Sequence, residues 1–122
     1  MNLDSILASS AAGVLSIPDI ENFCAHNEIE RNRFYDLCAT SLAQDYLSGK
    51  QTFLFCDSAV NQLMGLAGYE VPDLFLRVFE AFDAGEYRHR NDPSETDPVE
   101  TYTKPMLHAA LLSPEGDCTT GT

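Results

Sequence analysis

27-NEIERNRFYDLCATSLAQDYLSG-49 reads as one long amphipathic helix with a start and a stop written into it. Asn27 suits an N-cap, and Glu30 three residues on can reach back to its backbone N–H in a capping-box pattern. Phe34, Leu37, Cys38, Leu42 and Tyr46 recur at helical spacing, with Ala39, Ala43 and Leu47 beside them. Gly49 can take the left-handed conformation just past a helix, and Lys50 follows where a cation suits the helix dipole. At about 1.5 Å per residue the run spans roughly 30 Å, the width of a small domain. So wide an apolar face makes this helix the post against which shorter elements pack.

Outward from that post, the chain supplies more helices. Residues 1–15 allow a short helix with Leu3, Ile6 and Leu7 inward, or a loosely docked arm, because Gly13 and the serine pair weaken it. Ser16 and Asp19 form a second capping pattern with Pro18 in the first turn. Ile20, Phe23 and Cys24 give that element an inner face ending near His26. Thr52 can cap a helix burying Phe53, Cys56, Val60, Leu63 and Met64, with Gly65 and Gly68 to end it. Phe53-Leu54-Phe55 has no visible partner strand, so a helix is preferred there. Pro72 opens a further helix with Leu74, Phe75, Val78, Phe79 and Phe82 on its apolar face, stopped at Gly85. Residues 86–97 are polar and contain proline, which predicts an exposed loop. Asp97-Pro98 can start one helical turn, and Thr103 with Pro105 look like the cap and early-turn proline of a last helix burying Met106, Leu107, Ala110 and Leu111.

The expected architecture is therefore all-α: one domain over residues 1–112, a compact bundle of about five helices around one long central helix, with an irregular acidic loop. Residues 113–122 have nothing to pack and are expected to be a disordered tail. The chain's 122 residues fit one domain with a modest core.

Charge narrows the function. Nineteen acidic residues against seven basic give a net charge of −12, which repels nucleic acid and anionic membranes and favours a basic partner. No signal peptide or membrane span is read at the N-terminus. Cys24, Cys38, Cys56 and Cys118 form no C-x-x-C pair, and three occupy apolar helical positions. They read as reduced thiols of a cytoplasmic protein.

Four constellations in the chain could carry chemistry. Residues 20–37 resemble the bihelical DNA-binding motif of bacterial repressors. Cys24 or Ala25 stands at the small position, His26-Asn27-Glu28 at the turn and Ile29 just after it, with Arg31 and Arg33 early on the second helix. Glu28 stands where glycine is usual. Residues 21–36 carry four acids against two arginines, a poor surface for phosphates. Second, Asp83, Glu86, His89, Asp92, Glu95 and Asp97 gather carboxylates around one imidazole. Their spacing matches neither a calcium loop nor a zinc helix, so no metal site is assigned. Third, His26, His89 and His108 are scattered and no nucleophile motif is present, so no catalytic residues, enzyme activity or cofactor are assigned. Asp45 and Asp57 stand out only as carboxylates beside apolar positions. Fourth, Phe75, Phe79, Phe82, Tyr87 and Tyr102 bracket the loop, either as an aromatic rim for a partner or as core with tyrosines closing over it.

The segment DP-x-E-x-Y-T-x-P at residues 97–105, after the capped helix pair and DYLSGK, resembles a group of small acidic bacterial proteins of unassigned function. In size, charge and helical content the chain is also similar to bacterial immunity proteins, which neutralise basic nuclease toxins. That likeness implies that Asp83, Glu86, Asp92, Glu95 and Asp97 mimic a nucleic-acid backbone. The functional expectation is a non-enzymatic interaction protein that binds a basic protein partner, not nucleic acid or membrane, through Asp83, Glu86, Tyr87, His89, Asp92, Glu95 and Asp97. The alternative is a helix-turn-helix regulator using Arg31 and Arg33. Self-pairing through an apolar face of the N-terminal segment is left open.

Overall fold

The computed structural model describes residues 1–86, 97 and 99–112. These residues are all-helical: α1 (Leu3–Ala11), α2 (Ile17–Asn27), α3 (Arg31–Leu47), α4 (Phe53–Ala67), α5 (Asp73–Ala84), a π-helical turn (Val99–Thr103) and α6 (Lys104–Leu112). The all-α bundle expected from the sequence is what forms.

α3 keeps its role as the post, touching α2, α4, α5 and α6. Phe34, Tyr35, Cys38, Ala39, Leu42 and Ala43 are buried along it. The start expected for it is corrected. Asn27 is the last residue of α2, and its side-chain amide donates to the Phe23 carbonyl at 2.9 Å. Glu28 then turns left-handed, with φ 56° and ψ 47°. α3 begins at Arg31 behind an extended Glu30 whose side chain makes no cap. The competing α2 C-terminus took the residues that looked like a cap. The stop is as read: Gly49 has φ +84° just past the Ser48 C-cap.

Two aromatic groups pin the ends of α3. At its start, Phe34 meets Phe23 edge-on with centroids 5.6 Å apart, and Tyr35 meets Phe75 at 5.3 Å. At its end, Tyr46 lies 5.7 Å from Phe82 and 6.1 Å from Phe53. The start of α3 thus meets the start of α5, and the end meets the end, so the two run in the same sense. α4 returns between them, and the Cys56 thiol donates to the Leu42 carbonyl at 3.5 Å.

The N-terminal segment is a docked helix. Asn2 caps α1 by accepting from the Ser5 N–H at 2.8 Å. Ile6 and Leu7 are buried, and α1 packs along α4. Gln62 of α4 donates to the Leu15 carbonyl at 3.2 Å, which ties the following turn down. The Ser16–Asp19 capping box of α2 forms as read, with both reciprocal bonds present. Thr52 caps α4 through the Phe55 N–H at 3.1 Å.

The last elements differ from expectation. Thr103 does not cap α6. It is fully buried, and its hydroxyl donates to the Ala81 carbonyl of α5 at 2.6 Å. The π-helical turn crosses the end of α5 at Gly85, where a Cβ would strike the Thr103 hydroxyl and press Phe53 and Val99. Leu107 and Ala110 bury α6, while Met106 stays exposed. The proposed tail, residues 113–122, lies outside the described residues.

Candidate functional site

The acidic site begins with the way α4 and α5 are laid side by side. Asp57 and Asn61 stand one turn apart on α4, on an edge that the apolar spacing leaves out of the core. Asp83 lies in the last turn of α5 and Glu86 follows its C-cap. Because α4 runs against α5, the start of α4 lies beside the end of α5.

Asn61 holds the arrangement together. Its side-chain nitrogen donates to the Asp57 carbonyl at 2.7 Å and to Glu86 Oε2 at 3.3 Å. The Asp57 and Glu86 carboxyls come within hydrogen-bonding reach of each other. Asp57 Oδ1 is enclosed, and among the described residues no donor faces it. Burial, then the bond and charge of Glu86, then the charge of Asp83 push the Asp57 carboxyl up to about 7, and Asn61 opposes them. Burial beside two further carboxyl groups therefore favours the protonated form of Asp57.

Of the residues expected to bind a partner, Asp83 and Glu86 come together here, joined by Asp57. Asp97 is placed otherwise. Its Oδ1 accepts from the Val99 N–H at 3.0 Å and its carbonyl from the Thr101 N–H at 2.9 Å, so it starts the π-helical turn. Tyr87, His89, Asp92 and Glu95 lie outside the described residues. Phe75 and Phe82 are fully buried and Phe79 half-buried, so these rings belong to the core rather than to a rim. Lys104 sits 6.0 Å from the centre of the Tyr46 ring.

The sequence singled out Asp57 and Glu86 separately but did not pair them, and it passed over Asn61. The only signal was the i, i+4 spacing of Asp57 and Asn61 on the polar edge of α4. What pairs them is the angle at which α5 returns.

The three described thiols are structural, and Cys118 lies outside the described residues. Cys38 and Cys56 are buried, and burial raises both, Cys56 to about 12. Burial also raises half-buried Cys24, against the pull of Arg31. Raised thiols are poor nucleophiles. Asp45 is half-buried, and its charge is one cause of the rise at Cys56. Among the described residues no group of three His, Cys, Asp or Glu side chains is arranged to hold a metal ion, and no helix is long and apolar enough to cross a membrane.

The α2–α3 corner carries the bihelical likeness. Glu28 adopts the left-handed backbone that the motif's glycine usually supplies. Arg31 reaches Glu21 at 3.5 Å, and Arg33 is exposed.

No protein-family model matches the chain, and no match is found among curated proteins or solved structures.

Proposed function

We propose that this chain is a non-enzymatic interaction protein whose acidic face, built on Asp57, Asp83 and Glu86, binds a basic protein partner. The observation that carries this reading is the carboxyl pair. Asp57 and Glu86 are held together by Asn61 beside Asp83, and among the described residues no arginine, lysine or histidine side chain is among the groups that shift Asp57. A guanidinium or ammonium group from a partner would relieve the crowding, and partner charges meeting such a patch set association rate and specificity. The finer form of the proposal is a cytoplasmic, immunity-type role, in which the face stands in for the phosphates that a basic toxin would otherwise grip.

The test is affinity capture with the wild-type chain and with Asp83→Lys/Glu86→Lys, both retaining native helicity. A basic protein released by salt from the wild type and absent from the variant is the expected result. Identical captured proteins from both would sink the proposal.

The bihelical corner favours a second reading, because Glu28 takes the backbone geometry that such a motif requires. Its surface weighs against DNA: Glu21 engages Arg31, and Glu28 and Glu30 flank the turn. A gel shift on random DNA at low salt decides it, since phosphate contacts would show there first. The absence of a shift eliminates DNA binding by this chain alone.

A further inference from the structure

We propose that the outer side of the α1–α4 pair is a self-association face, on which Leu54 of one copy seats in the alanine groove of a second copy across a two-fold axis. The groove, about 440 Å³, lies between the two helices and is lined by Ala8 and Ala11 of α1, its C-cap Ala12, and Thr52, Leu54, Phe55 and Ser58 beside them. Leu54 is 74% exposed at its rim. Surface leucines occur singly in most proteins. This one stands beside a trough of small side chains.

Charge selects the occupant. The chain carries a net charge of −12, yet residues 5–18 contain no charged residue, and neither do residues 51–56. These two neutral segments supply all of the groove's lining except Ser58, which is also uncharged. Asp4 is exposed one turn before Ala8, which puts it at the end of the groove and outside the lining. Two strongly acidic copies repel wherever their carboxylates face each other, so self-association requires a carboxylate-free surface. A basic partner finds no counter-charge here, and an anionic membrane is repelled by the chain as a whole. A second copy brings an equally neutral surface.

Shape agrees with charge. A two-fold interface must be self-complementary, with a projection and its recess on the same surface. Leu54 is the projection and the Ala8–Ala11–Ala12 side of α1 the recess. The inner face of α1 is anchored by buried Ile6 and Leu7, and Asn2 caps its start. The recess is therefore presented by a fixed helix. The proposal concerns a different surface from the carboxyl site and stands or falls independently of it.

Sedimentation velocity on the full chain tests it, over a range from low to high micromolar and at two salt concentrations. The expected result is a monomer–dimer equilibrium that shifts towards dimer as salt rises, because screening removes the repulsion between the two copies. Leu54→Asp, at an exposed position that leaves the core intact, should weaken the dimer by about tenfold or more by placing like charges across the axis. Ala8→Glu, on the other helix, should do the same, with circular dichroism confirming native helicity in both. A wild-type chain that stays monomeric at every concentration and salt overturns the proposal. So does a dimer whose affinity is unchanged in both variants.

Discussion

Replacing Asp57 with asparagine should stabilise this protein at pH 8 and leave it nearly unchanged at pH 4. In the unfolded chain the Asp57 carboxyl ionises near its ordinary 3.8, whereas in the fold it holds its proton up to about 7. Between those values the folded state binds more protons than the unfolded state, so stability falls as pH rises through the window. Above about 7 the fold carries the whole penalty of ionising Asp57 beside Glu86 and Asp83. The gap between the two values, at about 1.4 kcal/mol per pH unit, sets a ceiling of about 4 kcal/mol. Asp57 is half-buried, and solvent screening brings the expected penalty to about 1–2 kcal/mol. The substituted amide removes the charge, keeps the shape and can donate to Glu86. Urea denaturation of wild type and Asp57→Asn from pH 4 to pH 8 reads the difference, urea being uncharged and leaving the electrostatics unscreened. The variant should gain about 1–2 kcal/mol over wild type across that range, accumulating between about pH 4 and pH 7 and levelling off above that. Asp36 contributes a slope of the same sign to both proteins, since burial raises it and Asp73 adds to this while Arg33 opposes. Only the difference between the curves reports on Asp57. Parallel curves, or a variant less stable than wild type at pH 8, would refute the carboxyl pair as described.

The fold offers two further tests. Ile6→Ala should cost about 2–4 kcal/mol in urea or thermal unfolding, because Ile6 is fully buried between α1 and the rest of the core; a loss below about 0.5 kcal/mol would mean that α1 is a loosely attached arm after all. Gly85→Ala should cost about 1–3 kcal/mol, since its methyl group has no room between the Thr103 hydroxyl, Phe53 and Val99, and a neutral substitution would mean that the π-helical turn does not cross α5 there.

Most helices could be read from the sequence because their signals are local. The Ser16–Asp19 box, the Thr52 cap, the prolines in first turns and the glycines past helix ends act within four residues. The start of α3 is ambiguous in the sequence because two valid local solutions overlap there. Asn27 is an equally good residue for the last turn of α2, and Glu28 in the left-handed region closes that helix first. Tyr35 escaped the apolar stripe since it adjoins Phe34. Both are buried because α3 has partners on several sides. Thr103 reads as a helix cap in one dimension and becomes a buried clamp on Ala81 once the π-helical turn folds over α5.

By itself the sequence determined the fold class, the element order, the apolar faces and the acidic character of the chain, because periodicity, capping and net charge are properties of neighbours along the chain. Tertiary structure decided which carboxylates meet. Asp57 and Glu86 are far apart in sequence, and only the return of α5 alongside α4 makes them share a site with Asn61. It also brought two uncharged segments, residues 5–18 and 51–56, together with Ser58 to line one groove. Long-range packing angles set such meetings, and no local pattern encodes them. The helix at the heart of that stretch, α3, is thus the post of the fold in both views, while the site it holds in place belongs to the helices packed around it.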